Sequence, residues 1–172
     1  VKTLCSAFIF FTAFNASAQS PAEGSPKARQ LPVACDSTGS LNSEILKVVK
    51  PCIGKKIDRG ECWDLAKFAL DKVNASWDGF MDFGKEFDWK KECLQPGDIL
   101  QFEGVVFEGK NEAYKYSESF YHHTAIVYSI GENGEVELIH QNTGQYGKKV
   151  GVSTIYFKDL KKGKIQAYRP VV

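Results

Sequence analysis

Cys62 is the residue best placed by its neighbours to do chemistry. It stands in the stretch Asp58-Arg59-Gly60-Glu61-Cys62-Trp63-Asp64-Leu65-Ala66. Apolar residues then recur at Leu65, Ala66, Ala69, Leu70 and Val73, which is helical spacing. The thiol therefore falls in the first turn of a helix, where the positive end of the helix dipole favours a thiolate. A cysteine nucleophile belongs in such a place. Asp58 followed by Glu61 has the form of a capping box, so Asp58 is the expected N-cap. The competing reading is a small buried cysteine that only packs.

A thiol nucleophile needs a base within hydrogen-bond reach, and the base needs a partner that orients it. The three histidines, His122, His123 and His140, all lie in the second half of the chain. Adjacent strand residues point to opposite faces, so only one of His122 and His123 can face the Cys62 helix. With Asn133-Gly134 as a hairpin tip, His123, His140, Asn142 and Gly144 share a face and His122 does not. This parity favours His123 as base, with His140 or Asn142 as its orienting partner. The same register leaves His123 and His140 about 13 Å apart along the ribbon, so a bulge must bring them together. His122 beside Tyr121 reads as a surface residue, and His140 could equally be a core histidine satisfied by backbone. The histidines and cysteines lack zinc-ligand spacings, so no metal is expected.

The elements around these residues follow from composition. Ser40 can cap a helix carrying Leu41, Ile45, Val48 and Val49, and Pro51 stops it. After the Cys62 helix, Trp77 to Trp89 reads as an aromatic, glycine-punctuated loop for core and rim packing. Gln95-Pro96-Gly97-Asp98 is a turn. Strands are expected near 99–106, 124–130, 136–141, 150–156 and 164–169. Residues 111–121 read as an inserted loop. Helices first and an antiparallel sheet afterwards give an α+β chain with segregated layers.

The ends and the composition set the context. Lys2, the apolar run Leu4 to Phe14 and Ala16-Ser17-Ala18 have the pattern of a secretory signal peptide over 1–18. The apolar run is too short to span a bilayer, and no second segment suggests a membrane span. Residues 19–40 are rich in Ser, Pro, Ala and Gly and read as a flexible linker, leaving a domain over 41–172. The chain has 22 Lys plus Arg and 21 Asp plus Glu. Removing 1–18 takes away Lys2 and leaves the charges balanced, which argues against nucleic acid as a partner. Cys35, Cys52, Cys62 and Cys93 remain. A free Cys62 leaves three for one bridge, such as Cys52–Cys93, but sequence does not choose the pairing.

The order of parts then has a likeness. Gly60-Glu61-Cys62 opening a helix, Leu94-Gln95-Pro96-Gly97-Asp98-Ile99-Leu100-Gln101-Phe102, His123-Thr124-Ala125-Ile126-Val127-Tyr128 and Leu138-Ile139-His140 together resemble the NlpC-type cell-wall cysteine peptidases and the related CHAP amidases. The likeness covers roughly 41–172. It implies a reduced papain-like fold, with N-terminal helices, one bearing the cysteine, packed on an antiparallel sheet of about five strands. It also implies a secreted or periplasmic hydrolase of amide bonds in peptidoglycan stem peptides, without cofactor and expected as a monomer. Carried over by position, Cys62 is the nucleophile, His123 the base and His140 the third residue, with Asn142 as the alternative third. Glu61, Trp63 and Tyr121 are then expected to touch substrate. Glu61 and Trp63 replace the Asp and Ser that flank the nucleophile in many members, so the scissile bond does not carry over. The alternatives are a binding or inhibitory module on the same fold, or a thioesterase- or acyltransferase-like relative.

Overall fold

The computed structural model describes residues 31–110 and 115–172; the expected leader over 1–18 and residues 19–30 of the expected linker lie outside them. Helix α1 spans Ser40–Val49 and α2 spans Cys62–Lys72. Six strands follow: β1 Lys85–Phe87, β2 Ile99–Lys110, β3 Lys115–Ile130, β4 Glu135–His140, β5 Gly151–Tyr156 and β6 Leu160–Arg169. They form one sheet in the order β1-β6-β2-β3-β4-β5, and every strand pairing is antiparallel. The α+β architecture is as expected, with one short strand more. No helix among the described residues is long and apolar enough to cross a membrane.

Strand alternation divides the sheet into two chemically distinct faces. One face offers Ile99, Ile126 and Ile139 to Ile45 and Val49 of α1 and to Leu65, Ala69 and Leu70 of α2. The other gathers Phe102, Phe107, Val127, Leu138, Ile155 and Phe157 into a second cluster, joined by Phe87 and Trp89. Each of these large side chains removes roughly 1.5–3 kcal/mol worth of apolar surface from water. The two clusters hold the sheet from both sides.

Several local expectations change. Residues 115–121 are not a loop: they form the first half of β3 and pair with β2 from Lys110↔Lys115 inward. The alternation there is weak because the ribbon projects into solvent. Residues 31–35 are not a free arm. The Leu94 N–H donates to the Val33 carbonyl and the Cys35 N–H to the Leu94 carbonyl, both at 2.8 Å, and Cys35 is bridged to Cys93. The bridge is thus neither of the pairings open to Cys52, which is buried and free. Closing a loop with a sequence separation of 58 stabilises the fold by about 4 kcal/mol in the chain-entropy account.

The turn before β2 is a structural hub. Asp98 is fully buried, and its carboxylate accepts from the Gln95 N–H (2.9 Å), Asn42 Nδ2 (2.9 Å) and Arg169 Nη2 (2.8 Å). One side chain thereby ties α1, the turn and β6. Gly97 is required there: its φ is 89°, and a Cβ would lie 2.6 Å from the Asn42 carbonyl oxygen.

Candidate functional site

The helix start that carries Cys62 is built differently from its expected form. The N-cap is Glu61 and Cys62 is the first helical residue. Asp64, three residues on, accepts from the Glu61 N–H at 2.9 Å and pairs with Arg59 at 2.6 Å. Asp58 instead lies three residues before the N-cap, at φ 49° in the preceding turn, and does not cap this helix. Gly60 holds φ 84°, and a Cβ on it would come within 2.8 Å of Lys148 Cβ. Gln141, fully buried at the end of β4, pins this approach. Its Nε2 donates to the carbonyls of Ile57 (3.0 Å) and Glu61 (2.9 Å), and its Oε1 accepts from the Ile57 N–H at 3.1 Å.

Cys62 is half-buried and free of any disulfide. Burial pushes its thiol pKa up, and the nearby Glu61 carboxylate adds to this; the Thr124 and Trp63 N–H groups and the Thr124 hydroxyl pull the other way. Desolvation therefore outweighs the hydrogen bonds to the sulfur and shifts the thiol away from the expected thiolate. Thr124 Oγ1 is buried without a completed hydrogen bond.

The position of Thr124 decides which histidine is near. Its side chain and N–H act on the Cys62 sulfur, and β3 runs in unbroken register with β2 from Ile126 to His122. Thr124 and Ile126 thus face the helices, His122 shares that face, and His123 points the other way. A cavity of about 350 Å³ bears this out: Cys62 and His122 line it together with Glu61, Trp63 and Asn142. Phe80 and Met81, from the aromatic loop, complete it. His122, and not the expected base His123, therefore shares the cavity with Cys62. His122 Nδ1 lies 3.5 Å from Glu103 Oε1, its directly paired neighbour on β2.

His123 and His140 do meet, but away from Cys62. A register shift between Val127 and Ser129 slides β4 along β3, and His123 Nε2 comes to 2.9 Å from His140 Nδ1. His140 Nε2 is 2.8 Å from Ser153 Oγ. His123 stacks on Phe120, with centroids 4.6 Å apart. Burial lowers the His123 pKa to about 3, aided by His140 and His122, and lowers that of His140 to about 4. Both rings are neutral across the physiological range. His140 consequently cannot orient the histidine beside Cys62.

The remaining expected residues divide. Glu61 and Trp63 line the cavity. Glu61 also pairs with Lys148 at 2.7 Å and accepts from Asn142 Nδ2 at 2.9 Å, while Arg59 lies over the Trp63 ring. Asn142 joins this face because its φ of 63° breaks strand alternation. Tyr121 is 93% exposed and does not line the cavity. Thr124, Gln141, Glu103, Phe80 and Met81 were not singled out by sequence. Glu103 and Thr124 had a usable signal, since both sit on His122's side of the β2–β3 ribbon. Among the described residues no group of three or more His, Cys, Asp or Glu could hold a metal ion.

A family model described as the AIM3/BBC1 cysteine proteinase-fold domain matches residues 16–172. No curated protein and no solved structure matches significantly.

Proposed function

The chain belongs to the AIM3/BBC1 cysteine proteinase-fold domain family, and on that premise we propose that it is a thiol hydrolase in which Cys62 attacks a carbonyl carbon and His122 carries the proton. The observation that carries this reading is the shared cavity: the first residue of α2 and a histidine of β3 open onto the same space. With burial holding the thiol pKa up, the reading is one of general-base catalysis. His122 takes the Sγ proton as the sulfur–carbon bond forms, then returns it to the leaving amine. The resulting thioester is hydrolysed by water activated at the same imidazole. The Cys62 N–H at the helix start supplies a donor for the developing oxyanion. The Thr124 hydroxyl, beside the sulfur, is placed to favour it as it becomes anionic.

The lining supports a substrate class. Trp63, Phe80 and Met81 give the cavity apolar walls, suited to an apolar side chain beside the scissile bond, while Glu61 and Lys148 put charge at its rim. The likeness to the NlpC-type peptidases supports stem-peptide amides of peptidoglycan as the first substrates to offer. The Cys35–Cys93 bridge and the signal-like pattern over 1–18 support a secreted or envelope location.

A second reading, a binding module without turnover, is favoured by one observation, the raised pKa of Cys62. Stem peptides and neutral control peptides incubated with the wild type, Cys62→Ala and His122→Gln, and followed by mass spectrometry, decide between them. Cleavage by the wild type alone is expected. Cleavage surviving in Cys62→Ala overturns the mechanism, and calorimetric binding without any cleavage establishes the second reading.

A further inference from the structure

The buried histidine pair leads to a second opening in the protein. Ser153 lies on β5, the edge strand of the sheet, and lines a cavity of about 410 Å³ with Tyr116, Glu118 and Tyr146. Its hydroxyl is 2.8 Å from His140 Nε2, and His140 Nδ1 is 2.9 Å from His123 Nε2. We propose that Ser153, His140 and His123 form a second, serine-based nucleophile site, on the sheet face opposite Cys62, which takes small carboxylic esters.

The arrangement has the parts this chemistry needs. A serine hydroxyl is inert until a neutral imidazole nitrogen accepts its proton, and that imidazole must be held in one tautomer by a partner on its other nitrogen. His140 is 1% exposed and His123 4% exposed, so neither ring is free to turn. Phe120 stacks on His123 at an interplanar angle of 13° and stands edge-on to His140, fixing both planes. Burial keeps the two rings neutral, the state in which His140 Nε2 accepts from Ser153 while His140 Nδ1–H donates to His123 Nε2. The hydroxyl end of this hydrogen-bonded row lines an open cavity, so a substrate carbonyl can reach it.

The step balances without a co-reactant other than water. Ser153 Oγ bonds to the ester carbonyl carbon as its proton passes to His140 Nε2. The tetrahedral adduct expels the alcohol, which takes that proton, and leaves an acyl-serine. Water then adds at the acyl carbon through the same nitrogen, releasing the acid and restoring Ser153.

The test uses the Cys62→Ala chain, so that failure of the thiol reading and failure of this one separate. A fluorophosphonate probe forms an Oγ–phosphorus bond with loss of fluoride, and peptide mapping locates it. Stoichiometric labelling of Ser153 is expected, lost in Cys62→Ala/Ser153→Ala, together with p-nitrophenyl acetate hydrolysis that falls at least tenfold in the double variant. If Ser153 stays unmodified in both the wild type and Cys62→Ala under conditions that fully label a control serine hydrolase, the proposal is overturned. Ester hydrolysis unchanged by Ser153→Ala overturns it as well.

Discussion

Two histidines adjacent in sequence live in opposite worlds. His122 is partly exposed on the helix-facing side, beside Glu103 and in the cavity of Cys62. One residue on, His123 is buried against Phe120 and Phe102, paired with His140. Their chemical identity is the same; strand alternation alone separates them. The contrast teaches that a histidine's neighbourhood, not its type, sets its task. The wetter ring is free to exchange protons with a substrate, whereas the buried one is fixed in a tautomer.

The largest expected effect tests whether the helix face is where amide chemistry happens. Cys62→Ala removes the free thiol that lines the cavity and should abolish hydrolysis, a loss of at least about 10³-fold in kcat. Far-UV and near-UV circular dichroism should be unchanged, because Cys62 is half-buried and carries no bridge. Loss of folding in this variant would instead give the thiol a packing role.

Exchanging the two histidines sharpens the comparison directly. His122→Gln should lower kcat by about 10²- to 10⁴-fold, the usual worth of a general base, with little change in melting temperature. His123→Gln should do the reverse. It leaves His140 without its ring partner in a desolvated site and should destabilise the fold by about 1–3 kcal/mol, read by urea denaturation, with kcat per folded molecule nearly kept. If His123→Gln removes turnover while the protein stays folded, the assignment of faces is wrong.

Much of this was legible beforehand, and the failures have physical causes. The helix bearing Cys62 showed in its apolar spacing, and the antiparallel strands in their alternation and turns. Parity correctly tied His123 to His140, because a shift of whole residue pairs keeps faces together. What parity could not say was which face met the helices. That depends on whether Thr124 and Ile126 or Ala125 and Val127 cover Ile45 and Leu65, and both sets are small or apolar. Asn142 was placed with His123 and His140, but one positive φ undoes alternation and turns it toward Cys62. Cys35 joined Cys93 because Val33 and Leu94 exchange backbone bonds beside them, a contact across the chain that composition does not register.

The buried pair also sets a pH dependence that His122 does not share. His123 faces His140, Phe102 and Phe120, and His140 faces Ser153; His122 also disfavours a proton on His123. Their folded pKa values of about 3 and about 4 lie below the unfolded value near 6.5. Above about pH 6.5 both are neutral in either state, so the pair has no effect on the slope. Below it the unfolded chain binds protons that the native fold refuses, and stability falls by up to about 1.4 kcal/mol per pH unit per ring until the folded pKa is passed. Chemical denaturation between pH 7 and 4 should show this fall, reduced in His123→Gln. A flat profile would mean that the pair is already open to water.

The smallest effect concerns Glu103, and it asks whether the helix-face histidine is oriented at all. Glu103 and His122 are directly paired across β2 and β3, and their closest side-chain atoms are 3.5 Å apart with both groups roughly half in solvent. Such an exposed pair is worth under about 1 kcal/mol in the ground state. Its effect on catalysis should be correspondingly modest, because the carboxylate stabilises the imidazolium only while His122 holds the proton. Glu103→Gln keeps the shape and removes the charge. It should lower kcat about three- to tenfold and leave KM near its starting value, since the imidazolium formed during turnover loses a neighbouring negative charge. Raised salt should mimic part of the loss in the wild type and none in the variant. An unchanged kcat in Glu103→Gln would show that the loop-side Asn142 or solvent, not the neighbouring strand, holds the ring of His122.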